Sequence, residues 1–215
     1  MTKTGWIIFC AVVVLIFGGL IAMNRINQAK LPKSNGSSNI YGKADSKVTL
    51  TEFVDFQCEA CYAYYPTVKE VKEKYKDKVK FQVRHFPISS SHKFARIAAS
   101  YAEGAAKQGK FWEMHDKIFE GQKQWEVASD PSTYFNGYAK EIGLDMQKLE
   151  TDRTSDEVKA IITADLDAVK KLGGNGTPTF VLNGKRIEKV DNSVDALSKL
   201  IDDALAESGT ESEKD

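Results

Sequence analysis

The sequence predicts an α/β fold: a sheet flanked by helices, with an all-helical insertion between a β-α-β half and a β-β-α half. Three observations predict it. A strand-like run, residues 48–56 (VTLTEFVDF), passes directly into a helix-like one. A second strand-like run, residues 80–87, is followed by helical periodicity over about residues 90–172. Asn183-Gly184 then separates two short strand-like runs, the strongest short-range hairpin signal available.

Each element has its own justification. Residues 50–56 are rich in Val, Phe and Thr, as a buried central strand is. The next segment, to about Lys76, sets Cys61, Tyr65, Val68, Val71 and Tyr75 on one helical face. Its opposite face, Lys69, Glu70, Lys72, Glu73 and Lys74, reads as solvated, and Pro66 predicts a kink. Phe81, Val83 and His85 alternate on one side of the second strand. In the insertion, Phe94, Ile97, Ala98, Tyr101 and Ala105 form one stripe, and Phe111, Met114, Ile118 and Phe119 another. Residues 131–142 and 146–149 predict two short helices. Thr154 and Glu157 have capping-box spacing ahead of a helix that Gly173-Gly174 stops. Strands at 179–182 and 185–188 and a helix over 193–206 complete the chain.

The chain has 215 residues, 42% hydrophobic and 28% charged, an ordinary globular composition. Lys plus Arg and Asp plus Glu number 30 each, so no basic excess points to a nucleic-acid partner. Residues 1–4 are a short tail, and residues 5–23 (GWIIFCAVVVLIFGGLIAM) an uncharged run at the lower end of what spans a bilayer. That run predicts a transmembrane anchor; a cleaved signal is the alternative, although no small-x-small site follows. Residues 24–46 read as a flexible linker, 47–206 as one domain with the insertion, and 207–215 as a disordered acidic tail.

Cys58-Glu59-Ala60-Cys61 holds two of the three cysteines; Cys10 lies in the apolar run. Two thiols at this spacing serve zinc sites, static disulfides and redox sites alike. His85, His92 and His115 show no metal spacing, and so small a loop gains little from a static disulfide. For redox use, Cys58 at the helix start is the natural nucleophile, its thiolate favoured by helix N–H groups, and Cys61 is the buried resolving thiol. Glu52, six residues before Cys58, points into the sheet–helix interface, where a carboxyl with a raised pKa can exchange the Cys61 proton.

Residues 52–61 (EFVDFQCEAC), Pro66, and residues 176–180 (GTPTF) before the hairpin together resemble the thioredoxin superfamily. The helical insertion resembles its DsbA-like branch, including membrane-anchored members, over about residues 40–206. The resemblance implies a thioredoxin-like sheet, a cis proline at Pro178, and a backbone at Thr177 that pairs with substrate. It also implies a thiol–disulfide oxidoreductase whose only cofactor is the Cys58–Cys61 disulfide, with no metal. Its substrates would be reduced secreted or membrane proteins, its reoxidising partner a membrane oxidase, and its domain extracytoplasmic on the N-terminal anchor. A reductase or isomerase of the same fold and a non-catalytic anchored binding module are the alternatives. One departure concerns the tuning dipeptide Glu59-Ala60, which lacks the histidine of strongly oxidising sites. A carboxylate beside Cys58 is expected to raise its pKa and make a milder oxidant, between about −120 and about −270 mV.

Overall fold

The computed structural model describes residues 3–29 and 31–211. It contains two compact units, residues 1–33 and 34–215. In the first, the uncharged run is helical as predicted, within α1 (Lys3–Ala29). The anchor expected there is corrected, and with it the membrane-anchored localisation: among the described residues no helix is long and apolar enough to cross a membrane.

The second unit is the predicted α/β sheet. Its strands are β1 (Asn39–Gly42), β2 (Thr49–Val54), β3 (Lys80–His85), β4 (Thr179–Leu182) and β5 (Lys185–Arg186), ordered β1-β3-β2-β4-β5. Only β2 and β3 run parallel, and α2 (Glu59–Tyr75) makes the crossover between them. Glu52 lies mid-sheet, opposite Val83 on β3 and Phe180 on β4. Strand alternation puts Leu50, Glu52, Phe81, Val83 and Phe180 on one face, which α2 covers. There Val71 and Tyr75 pack with Leu50, Phe81, Phe180 and with Leu197 and Ile201 of α9 (Val194–Glu211).

The insertion supplies α3 (Ala95–Ala106), α4 (Phe111–Glu120), α5 (Gln122–Trp125), α6 (Ser132–Glu141), α7 (Met146–Arg153) and α8 (Asp156–Lys171). Its core of Tyr101, Met114, Ile118, Phe119, Trp125 and Phe135 is continuous with Val54, Phe56 and Cys61. The insertion therefore shares one apolar core with the strand end and helix start that carry the cysteines.

Several local expectations are revised. Residues 34–42 are not tether: β1 pairs antiparallel with β3, and Ser37 and Asn39 are buried. Carboxylates hold this polar segment down. Asn39 donates to Glu103 and the Ser37 N–H to Asp165, the Ser37 hydroxyl lies within hydrogen-bond reach of both carboxylates, and Asp165 in turn pairs with Arg84 at 2.6 Å. Buried carboxylates persist when their acceptor sites are filled in this way. The cap of α8 is Ser155, whose Oγ accepts from the Val158 N–H at 3.2 Å. Thr154 is already committed, its hydroxyl donating to the Glu150 carbonyl at 2.7 Å. Helix α2 runs unbroken through Pro66. In the hairpin Asn183 and Gly184 both take positive φ, 49° and 79°, and β5 is shorter than predicted. Helix α9 continues to Glu211, into the tail expected to be disordered; residues 212–215 lie outside the described ones.

Candidate active site

Strand β2 ends at Val54, and the turn that follows delivers Cys58 to the N-terminus of α2 as its cap residue. Asp55 shapes that turn. Fully buried, it accepts from the Gln57 N–H at 2.8 Å, the Ile88 N–H at 2.7 Å and His92 Nδ1 at 2.8 Å. The insertion holds the turn from the other side. Gln122, fully buried, donates through Nε2 to the carbonyls of Phe56 (2.7 Å) and Cys58 (3.2 Å).

Both sulfurs are free thiols, Cys58 partly exposed and Cys61 buried. Cys58 Sγ lies 3.5 Å from the carbonyl oxygen of Thr177, whose peptide bond to Pro178 is cis. The two thiols differ in acidity. The Cys58 pKa is lowered to about 5, first by the hydrogen bond from the Cys61 thiol, against the cost of partial burial. The Thr177 hydroxyl and the backbone N–H groups of Cys61 and Ala60 add to that effect. Burial, and then the neighbouring Cys58, push Cys61 well above the ordinary thiol range.

Glu52 is buried behind the pair, and desolvation raises its pKa to about 8 against a small opposing pull from Lys72. Helix α2 turns Glu59 the other way: its side chain is 85% exposed, and Lys123 Nζ lies 3.4 Å from it. The expectation that Glu59 raises the Cys58 pKa is therefore revised. An exposed, paired carboxylate acts through water, whereas the hydrogen bonds to the sulfur are direct. Ala60 contributes its amide, not its side chain.

Three side chains near the dithiol were read from the sequence as ordinary. Lys72, expected to be solvated, is 5% exposed, with its ammonium 4.0 Å from the ring centre of Trp112 and 4.5 Å from that of Tyr41. His115, weighed in the sequence only for metal spacing, is 5% exposed and lines the same cavity as Glu52. Gln122 was not singled out. No sequence signal marks these positions beyond a polar residue inside an amphipathic helix. Among the described residues no cluster of His, Cys, Asp or Glu could hold a metal ion.

Solved structures share this architecture. BdbD from Bacillus subtilis, in its oxidised form, superposes with a TM-score of 0.68 at 25% identity, over 78% of this chain and 92% of that one. A thioredoxin-like oxidoreductase from Silicibacter pomeroyi DSS-3 gives 0.66 at 27% identity, over 77% and 91%. Wolbachia pipientis alpha-DsbA1 gives 0.69 at 20% identity, over 86% and 98%, a likeness of fold. Among curated sequences, the Na(+)/H(+) antiporter NhaA 3 of Salinispora tropica is 32% identical over 176 residues, 82% of this chain and 26% of the antiporter. The chain thus spans about a quarter of the length of such relatives, and antiport remains a property of those longer proteins. A thioredoxin family model matches residues 34–203, from the buried N-terminal segment through the dithiol and cis proline into α9. With that match covering most of the chain, the chain belongs to the thioredoxin family.

Proposed function

We propose that this protein is a DsbA-like thiol–disulfide oxidase that introduces disulfides into extracytoplasmic proteins through Cys58 and Cys61. The observation that carries the reading is the split between the thiols: Cys58 is partly exposed at the start of α2 with its Sγ 3.5 Å from the Thr177 carbonyl, Cys61 is buried, and their acidities are pushed apart accordingly. A pair split in this way has one good leaving group and nucleophile at the surface and one protonated partner beneath it.

In the oxidised protein, a substrate thiolate attacks Cys58 Sγ, the Cys58–Cys61 bond breaks, and Cys61 departs as a thiolate. Glu52, protonated below about pH 8, gives that thiolate its proton. A second substrate thiolate then attacks the substrate sulfur of the mixed disulfide. The substrate disulfide forms, and Cys58 leaves as a thiolate stabilised by its hydrogen bonds. Two electrons pass from two substrate thiols to the Cys58–Cys61 disulfide, and a membrane oxidase removes them from the resulting dithiol in turn. The Thr177 backbone, beside the sulfur, is the proposed contact for the substrate segment, with Pro178 fixing its direction.

Hydrogen bonds that stabilise the Cys58 thiolate stabilise the reduced protein and so make it oxidising. A pKa of about 5 falls between about 3.5 for DsbA and about 7 for thioredoxin. The potential should accordingly lie between about −120 and about −270 mV. The test is refolding of a reduced, disulfide-containing protein with the oxidised chain as sole oxidant. The native disulfides should form with the wild type, Cys58→Ser should be inert, and Cys61→Ser should trap mixed disulfides. Equal refolding by Cys58→Ser would end the oxidoreductase reading.

A further inference from the structure

A cavity of about 20 Å³ lies behind Glu52, between β2, α2 and α4, enough for the centre of one water. Its polar lining includes Glu52, Gln82, Lys69, Lys72 and His115, with Trp112 and Tyr65 beside them. Glu52 has apolar strand neighbours, Val83 and Phe180, so the sheet offers its carboxyl no proton acceptor. On the α4 side one polar group, His115, lines the cavity, and its partner Asp116 reaches solvent. His115 Nδ1 is 2.9 Å from Asp116 Oδ1, and Asp116 Oδ2 is 3.2 Å from Lys69 Nζ, with side chains 25% and 43% exposed.

We propose that the His115–Asp116 pair, with Lys72 beside it, carries protons between Glu52 and solvent, so that the helical insertion completes the proton path of the dithiol. The proposal rests on the oxidoreductase reading above. When Cys61 is reprotonated, Glu52 loses its proton and must be reloaded; when Cys61 is reoxidised, Glu52 gains one and must release it. In reloading, with His115 in the Nε2–H tautomer that release leaves, Asp116 passes a proton from solvent to Nδ1, and the Nε2 proton goes to Glu52 through a water that the cavity has room for. Release runs the same steps backwards, so each half of the redox cycle restores the tautomer the other needs. Asp116 orients the ring.

The remaining charges suit this role. Burial keeps His115 neutral at rest by lowering its pKa, while Asp116 is held at about 2 chiefly by its hydrogen bond to His115, despite desolvation. Lys72, held against Tyr41 and Trp112, favours ionised Glu52 after transfer, while burial lowers its own pKa. The other titratable groups facing His115 are Tyr65 of α2 and His85 of β3.

The test uses the full chain carrying a glutathione mixed disulfide on Cys58. Its resolution by Cys61 is followed against pH, beside alkylation of Cys58 as a measure of the nucleophile itself. In Asp116→Asn and His115→Gln, resolution should slow by at least about tenfold at neutral pH, with a changed pH profile. Cys58 alkylation should stay as in the wild type. Resolution within about twofold of the wild type across the pH range in folded Asp116→Asn would overturn the proposal, even if His115→Gln fails to fold. A wild-type chain that does not resolve the mixed disulfide would instead refute the oxidoreductase reading.

Discussion

Cys58 Sγ and the Thr177 carbonyl oxygen, 119 residues apart in sequence, lie 3.5 Å from each other. The thiol donates to that carbonyl, and the Thr177 hydroxyl, without another partner, stabilises the thiolate once the proton is gone. The segment proposed to receive the substrate backbone therefore also sets the acidity of the nucleophile.

Thr177→Val removes the hydroxyl and keeps the shape. A hydrogen bond to a charged group contributes about 1.5–3 kcal/mol, so the Cys58 pKa should rise by about one to two units. The thiolate absorbance of the reduced protein, titrated against pH, measures this directly. The potential should become less oxidising in step.

Glu52 is a buried acid whose pKa is raised above its unfolded value. The stability this group contributes is therefore fully present below about pH 4.5 and is lost as pH rises through about 8. Glu52→Gln removes that dependence. At pH 7 the variant should be more stable by on the order of 3 kcal/mol, seen as a higher denaturation midpoint, while resolution by Cys61 slows.

Cys58 has the opposite sign. Its lowered pKa stabilises the reduced fold above about pH 9, and the stabilisation is lost as pH falls through about 5. The oxidised fold has no such thiol. The stability of the reduced protein relative to the oxidised one should therefore increase between about pH 5 and neutrality, as parallel urea unfolding of the two forms would reveal.

Gln122→Leu deletes two hydrogen bonds from the insertion to the redox turn; the buried Phe56 carbonyl loses this donor, while the Cys58 carbonyl keeps the Tyr62 N–H. The cost should be about 1–3 kcal/mol. If Gln122 also fixes the turn geometry, the Cys58 pKa shifts with it; a leucine that lowers stability alone would limit Gln122 to packing.

Glu59→Gln should change the Cys58 pKa by less than about half a unit, because the carboxylate is exposed and already paired with Lys123. A larger drop, read from the same thiolate titration, would restore the tuning role expected from its place in the motif.

Much of this arrangement was legible in the sequence because it follows from local periodicity. The place of Glu52 on the strand ahead of the dithiol put it at the sheet–helix interface, and the strand-to-helix junction put Cys58 at the start of α2. Thr177 and Pro178 came from a family resemblance, since nothing local links them to Cys58. What stayed hidden depends on tertiary packing. Lys72 sits in a run of lysines and glutamates and is buried only because Trp112 and Tyr41 close over it. Strand β1 is polar and short, and it is recognisable only through its pairing with β3 and the carboxylates beneath it. Glu59 illustrates the converse: adjacent to Cys58 in sequence, it is turned away by the helix.

The account stands most directly on the redox state of Cys58 and Cys61 in the cells that make the protein, fixed by rapid acid quenching and thiol trapping. A disulfide oxidase predicts that the pair is mostly oxidised and becomes reduced when its reoxidation is blocked. A pair found mostly reduced under ordinary growth would contradict the oxidase role and assign the same dithiol to reduction or isomerisation.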